Sequence, residues 1–298
     1  MRLIIVSGLS GSGKSVALDA LEDMGFYCID NIPVALLGGL INQPIESRDA
    51  LYKNMAVGVD ARNQATNLES LPDLLHSLKN QGVRYEIVFL HAEDQVLLKR
   101  YRETRRPHPL RTGNMSLLDA ILKERELLGS ITCSADLVID TTNTSIYELR
   151  ESLSNRIGTH EQAGLSIQIE SFGFKHGIPF DADFVFDVRC LPNPYWEIKL
   201  RPLDGRDEAV QKFLAGHDIT GIMYMDIINF LHNRIPEHLE HKRNYLTIAI
   251  GCTGGQHRSV YLVEKIVGEL QKDYPNVIIR HNELPAATLS DDKPTTIA

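Results

Sequence analysis

Eight residues near the amino terminus, Gly8-Leu9-Ser10-Gly11-Ser12-Gly13-Lys14-Ser15, constrain this chain more than any others, because they fit G-x-x-x-x-G-K-[ST] at every fixed position. The glycines let the backbone curl so that successive N–H groups point inward at an anion. Lys14 adds a compact positive charge for the β- and γ-phosphates, Ser15 offers a hydroxyl to Mg²⁺, and the helix behind contributes its positive end. The flanks suit the motif. Arg2–Ser7 reads as a buried strand, and Ser15–Met24 carries Val16, Ala17, Ala20, Leu21 and Met24 at helical spacing before a capping Gly25. This pattern calls for a purine triphosphate, ATP or GTP, with magnesium, and for Lys14 and Ser15 as the residues that act on it.

Strands and helices then alternate. Phe26–Ile29, Met55–Val59, Tyr85–Leu90 and Ala135–Asp140 read as strands, and Leu68–Gln81, Asp94–Glu103, Ser116–Leu128 and Ser145–Ile157 as helices. That alternation predicts an α/β fold, a P-loop NTPase-like parallel sheet with helices on both faces. The polar stretch 158–164 divides this domain, 1–157, from a second, smaller α/β domain over 165–284. There, strands at Leu165–Ser171, Phe184–Val188, Tyr245–Ile250 and Val277–Arg280 mix with helices at Asp207–Ala215, Gly221–Arg234 and Val260–Lys272. The last residues, 285–298, are small and polar and read as a disordered tail.

A net charge of −8 gives no global attraction to nucleic acid or anionic lipid, so any polyanion site must be a local patch. The four cysteines are scattered without a C-x-x-C pair, and no apolar run approaches the roughly 20 residues that span a bilayer. A cytoplasmic protein with no membrane partner is expected.

Other residues carry chemistry with alternatives open. Asp60, closing a strand, is the natural acidic partner for the metal's water shell, with Asp30 its rival. Lys99, Arg102 and Arg106 would share one helix face, as a phosphate lid or as a solvated surface. Asp140-Thr141-Thr142 also follows a strand. Gly251-Cys252-Thr253-Gly254-Gly255-Gln256-His257-Arg258-Ser259 is a second strand-to-helix anion loop. Its C-x₅-R-S spacing is also that of cysteine-dependent phosphatases, with Asp181 or Asp183 as conceivable acid, while a structural turn is the third reading. Ser171 to Gly177, with Lys175 and His176, combines aromatic and basic residues in a turn suited to stacking a base and contacting phosphate, or to structural packing.

These residues resemble the RapZ/YvcJ family of nucleotide-binding proteins. The resemblance runs through Gly8–Ser15, Ala17–Asn31, Asp60–Asn63, Arg105–Leu110, Glu170–Pro179, Asp181–Pro194 and Ile250–Tyr261. It implies slow ATP and GTP hydrolysis at the first loop and a second, GTP-directed contact at Asp60, Ala61, Arg62 and Asn63. It further implies a homo-oligomeric RNase adapter that binds a small regulatory RNA, works with an endoribonuclease and senses a phosphosugar, glucosamine-6-phosphate. Thr253, Gly254, His257 and Arg258 match the family's phosphosugar or anion loop, and Lys175, His176 and Arg258 its RNA-binding half.

One departure stands out. The enterobacterial adapter ends in a Lys/Arg cluster, whereas the tail here holds Asp291, Asp292 and only Lys293, and Leu165–Leu284 has 13 Lys/Arg against 16 Asp/Glu, net −3. Phosphate neutralisation supplies most non-specific RNA affinity, so RNA binding should be weak. Two other functions fit the same motifs: a small-molecule kinase with an Arg-rich lid, and a cysteine phosphatase fused to a nucleotide switch.

Overall fold

The computed structural model describes residues 1–42, 53–62, 71–104, 107–111, 113, 115–158, 164–241 and 243–284. The chain forms two compact units. One comprises Met1–Gly164 with Arg243–Tyr245, and the other Leu165–Lys242 and the chain from Leu246 on.

The first unit contains β1 (Arg2–Gly8), α1 (Lys14–Asp23), β2 (Tyr27–Ile29), α2 (Val34–Asn42), β3 (Asn54–Gly58), α3 (Leu71–Asn80), β4 (Arg84–His91), α4 (Asp94–Thr104), α5 (Leu117–Leu127), α6 (Gly129–Cys133), β5 (Leu137–Asp140) and α7 (Ile146–Ile157). The strands form one sheet in the order β2-β3-β1-β4-β5, parallel at every pairing. Alternate side chains of β1 enter opposite faces. Leu3 and Ile5 join the core under α2, α3, α5 and α6, whereas Ile4 and Val6 join the core under α1 and α7. A strand buried on both faces reads as an unbroken apolar run, which is why Leu3–Val6 was legible. After β1 the chain moves toward β3 and β2, then crosses to β4. Ligands of open parallel sheets lodge at such a reversal, outside the carboxyl ends of the strands.

The second unit contains β6 (Ser166–Gly173), β7 (Phe184–Asp187), α8 (Glu208–Ala215), α9 (Asp218–Glu240), β8 (Tyr245–Cys252), α10 (Arg258–Leu270) and β9 (Val277–His281), with 3₁₀ turns at Phe174–His176 and Pro194–Trp196. Its sheet runs β7-β8-β6-β9, with β6 parallel to β9 and β7 parallel to β8. Leu262, Val263, Ile266, Val267 and Leu270 of α10 pack into its core.

Several elements depart from the periodicity reading, among them the short helix Gly129–Cys133, which it does not include. Val34–Asn42 is helical, although Asp30-Asn31-Ile32-Pro33 reads as a stop and Gly38-Gly39 weakens the helix signal. Helix α9 continues past Arg234 through Pro236 to Glu240. Proline removes one backbone hydrogen bond from the turn before it, and burial of Leu231 and Ile235 holds the helix across that gap. The tail 285–298 and most of the stretch 158–164 lie outside the described residues. No helix among the described residues is long and apolar enough to cross a membrane.

Candidate functional site

The first loop leaves the carboxyl end of β1 and enters α1. Gly8 has φ 147° and packs so closely on β4 that an added Cβ would run into the Leu90 carbonyl oxygen, and Gly13, at φ 106°, caps α1 without a side chain. Both positions need glycine. Leu9 N–H donates to Leu90 O at 3.2 Å and Ser12 N–H to Leu9 O at 2.9 Å, which closes the curl. Ser15 is exposed on the first turn of α1.

Lys14 Nζ donates to Gly8 O at 2.7 Å. Burial lowers its pKa from the ordinary lysine value, and the carboxylates of Glu124, Asp60 and Asp30 only partly offset this. The ammonium, on a half-buried side chain, is thus partly desolvated and faces a carbonyl of its own loop.

Glu124 of α5 is fully buried beneath the loop. It accepts from Ser10 N at 2.9 Å, Ser10 Oγ at 2.6 Å and His108 Nε2 at 3.2 Å. Leu110 N–H donates to His108 Nδ1 at 3.2 Å, so that nitrogen is the acceptor and Nε2 carries the proton. Burial alone would raise the Glu124 pKa, but hydrogen bonds from His108 and Ser10 and the charge of Lys14 bring it below the ordinary value. On the β5 side, Arg100 Nη1 donates to Gly11 O at 3.1 Å, Arg100 Nη2 donates to Thr141 O at 2.5 Å, and Thr141 Oγ1 lies 2.9 Å from Ser12 O.

At the end of β3, Asp60 is buried and grips Arg62. Arg62 Nε lies 2.9 Å and Nη2 2.6 Å from Asp60 Oδ2, and Arg62 N–H donates to Oδ1 at 2.9 Å. Burial pushes the Asp60 carboxyl upward, yet the Arg62 bonds and Lys14 hold it below its ordinary value. Ala61 is buried, and Asn63 lies outside the described residues. Asp30, at the end of β2, lies across Gly58, where an added Cβ would come within 2.8 Å of its Oδ1. Both rival acids therefore flank the loop. Of the expected lid, Lys99 and Arg102 are exposed on α4, and Arg106 lies outside the described residues; among the described residues of that basic run, Arg100 reaches the loop.

In the second unit, Gly251–Ser259 joins β8 to α10. Cys252 is 3% exposed, and its Sγ lies 3.2 Å from Gly255 N and 3.2 Å from Ser259 Oγ. Burial raises the thiol pKa, but these bonds and Arg258 lower it further, leaving it below the ordinary value. Arg258 Nη1 donates to Arg189 O at 2.8 Å and Leu191 O at 3.0 Å, and Nη2 to Thr253 Oγ1 at 3.1 Å. Its guanidinium is thus spent mainly on protein acceptors. His257 Nε2 lies 3.2 Å from Leu200 O, while Thr253 is exposed and Gly254 half-buried. Asp183 Oδ2 accepts from Thr247 N at 2.9 Å, roughly 16 Å along β8 from Cys252 at ~3.3 Å per residue. That removes Asp183 as an acid for the thiol. Lys175 and His176 are exposed beside the loop, Lys175 N–H donating to Thr253 O at 3.3 Å, and Arg189 stacks 4.0 Å above Phe174.

Sequence reading missed Glu124, His108 and Glu283. Glu283 Oε1 accepts from Gly173 N at 3.0 Å, and an added Cβ at Gly255 would strike its Oε2. Ser10 and Glu124 are 114 residues apart, so no local spacing could have joined them. Among the described residues no group of three or more His, Cys, Asp or Glu is arranged to hold a metal ion.

Comparison with known proteins agrees over both halves. Residues 1–161 match the RapZ-like N-terminal domain and residues 165–285 the RapZ C-terminal domain. A protein of Methylococcus capsulatus named nucleotide-binding protein is 51% identical over 96% of this chain and 97% of its own. One of the same name from Halorhodospira halophila is 51% identical over 95% and 99%. Among solved structures, shikimate kinase from Bacteroides thetaiotaomicron aligns with 54% of this chain and 99% of its own at 17% identity and TM-score 0.36. Given both domain matches and relatives at half identity along nearly the whole length, the chain belongs to the RapZ family.

Proposed function

We propose that this chain is a regulatory nucleotide-binding protein whose first loop, Gly8–Ser15, binds ATP or GTP with Mg²⁺ and hydrolyses it slowly. The observation that carries this reading is the Lys14 ammonium, partly desolvated and 2.7 Å from the carbonyl of Gly8, in a loop whose Gly8, Gly11 and Gly13 all have positive φ. A triphosphate would replace that carbonyl as the partner of Lys14. Lys14 and the loop amides would hold its phosphates, Ser15 would supply the hydroxyl ligand to magnesium, and the metal when bound would neutralise phosphate charge. The name shared by the relatives supports the same ligand, and Asp60, Ala61, Arg62 and Asn63 would add the guanine-nucleotide contact.

In the second unit, Thr253, Gly254, His257 and Arg258 would recognise a phosphosugar such as glucosamine-6-phosphate. Lys175, His176 and Arg258 would contact a small regulatory RNA delivered to an endoribonuclease by a cytoplasmic homo-oligomer. Because Arg258 is held by protein acceptors, the exposed Thr253 and the loop amides would carry most of the anion contact.

Calorimetric titration with ATP, GTP and glucosamine-6-phosphate tests this, repeated on Lys14→Ala and Thr253→Ala. Nucleotide binding that is weakened only by Lys14→Ala and phosphosugar binding weakened only by Thr253→Ala are expected. Nucleotide affinity indifferent to Lys14 would overturn the assignment of the first loop.

A further inference from the structure

The two sides of the first loop differ chemically. Toward β4 and β5 lie Arg100 and the hydroxyls of Thr141 and Thr142, and toward β3 and β2 lie Asp60, Arg62 and Asp30. Asp60 has fixed one edge of the Arg62 fork: Nε and Nη2 meet its carboxylate, while the side chain remains 50% exposed. The end-on edge, Nη1 with the second hydrogen of Nη2, points away from Asp60 by the planarity of the group. One strand over, Asp30 is exposed and stands across Gly58. Asn31 turns the chain there at φ 51°, the one positive-φ residue other than glycine among those described, and Ile32 N–H then donates to Gly58 O at 3.0 Å. The parallel register Ile29↔Val57 places both strand ends at the same level. Lys14 lies within electrostatic reach of Asp60, Asp30 and Arg62. An orientable base, a pre-set guanidinium and the phosphate-binding ammonium therefore share one edge of the sheet.

We propose that Asp30 and Arg62 form an acceptor site, and that the chain transfers the terminal phosphoryl group of its nucleotide to a small hydroxyl compound bearing an anionic group. This rests on the nucleotide reading of the first loop. With ATP rather than GTP in the first loop, Arg62 turns its remaining edge to the acceptor's anion and presents the acceptor's hydroxyl to Asp30. Asp30 takes the hydroxyl proton as the acceptor oxygen bonds to the γ-phosphorus. The bridging bond between that phosphorus and the β-phosphate oxygen breaks, its electron pair leaving on the nucleoside diphosphate. Asp30 then returns the proton to water. The products are a phosphate ester, a nucleoside diphosphate and one proton.

The test incubates the full-length chain with γ-phosphate-labelled ATP, Mg²⁺ and four acceptor sets: hydroxy acids, sugar phosphates, nucleoside monophosphates and neutral polyols. Label is expected in an organic ester with at least one anionic acceptor and with no polyol. Asp30→Asn should lower the acceptor-dependent kcat by about 10²–10⁴-fold, as loss of a general base does. Arg62→Lys should instead raise the acceptor KM on the order of tenfold, and weaken acceptor binding measured by calorimetry with ADP present to the same degree. Label passing only to water with every acceptor, in a chain that binds ATP by calorimetry, overturns the acceptor site and leaves the nucleotide reading standing. A chain that binds no nucleotide fails at the earlier step. Transfer that survives Asp30→Asn, or that serves polyols equally well, also overturns the proposal.

Discussion

The two glycine-rich loops occupy the same place, a buried strand running into a helix, yet hold their basic residues in opposite ways. Lys14 donates to a carbonyl within its own loop, an interaction that an incoming anion can replace. Arg258 is 4% exposed and spans two carbonyls of the β7 connection and a threonine hydroxyl, so releasing it would orphan the buried Leu191 contact and the part-buried Arg189 contact, while the exposed Thr253 hydroxyl could turn to water. A strand–glycine–helix pattern thus establishes where an anion can sit, while the partners of the basic side chain decide whether it serves ligand or scaffold. The same distinction bears on Cys252, whose sulfur is enclosed by Gly255 N–H and Ser259 although its spacing to Arg258 matches a thiol phosphatase.

The sharpest way to break this contrast is Arg258→Ala. Each orphaned acceptor costs ~1–3 kcal/mol, so a loss of several kcal/mol in stability is expected, read as a fall in Tm at roughly 2–4 °C per kcal/mol. An Arg258→Ala protein with unchanged Tm but no phosphosugar binding would make Arg258 a ligand residue. Lys14→Ala should do the reverse, with nucleotide Kd rising about 10–100-fold, as loss of a charged hydrogen bond does, and little change in Tm.

Glu124→Gln comes next. The amide nitrogen would take the oxygen position facing Ser10 Oγ, turning that hydroxyl from donor to acceptor, and the bonds from Ser10 N and His108 Nε2 would lose their charge assistance, at a cost of ~1–3 kcal/mol. The Glu124 pKa in the fold lies below its unfolded value, so its contribution is present above the unfolded value and is lost as pH falls through the folded one. Acid titration of Tm should therefore fall more steeply in the wild type than in Glu124→Gln. Glu283 has the opposite sign, since burial raises its pKa despite the Gly173 bond. Ionisation there works against the fold as pH rises, and Glu283→Gln should leave Tm at neutral pH unchanged or slightly higher. A clear drop would show that the carboxylate charge itself supports the glycine loop.

Much of the fold could be read from periodicity because β1, β4 and β8 are buried on both faces and so appear as unbroken apolar runs. Helix α2 escaped because its glycines mute the pattern that tertiary burial of Val34 and Leu37 restores. At the site, Gly8–Ser15 was legible since the chemistry dictates both residue type and spacing. The grip of Glu124 on Ser10 was not, since it is made by chain closure over 114 residues. An intermediate signal went unused. Asp60-Ala61-Arg62, Asp187-Val188-Arg189 and Asp204-Gly205-Arg206 share a two-residue spacing, and each aspartate clamps the backbone N–H and guanidinium of its arginine. Short enough to be local, that clamp can be sought in a sequence.

The bond from Lys14 to Gly8 also has a kinetic side. The half-buried ammonium gives up part of its hydration when the polypeptide folds, before any phosphate arrives. Capture then exchanges one oxygen for another, with part of the cation's solvent already expelled. Encounter rather than rearrangement should set the association rate, and discrimination among nucleotides should emerge in how long each stays.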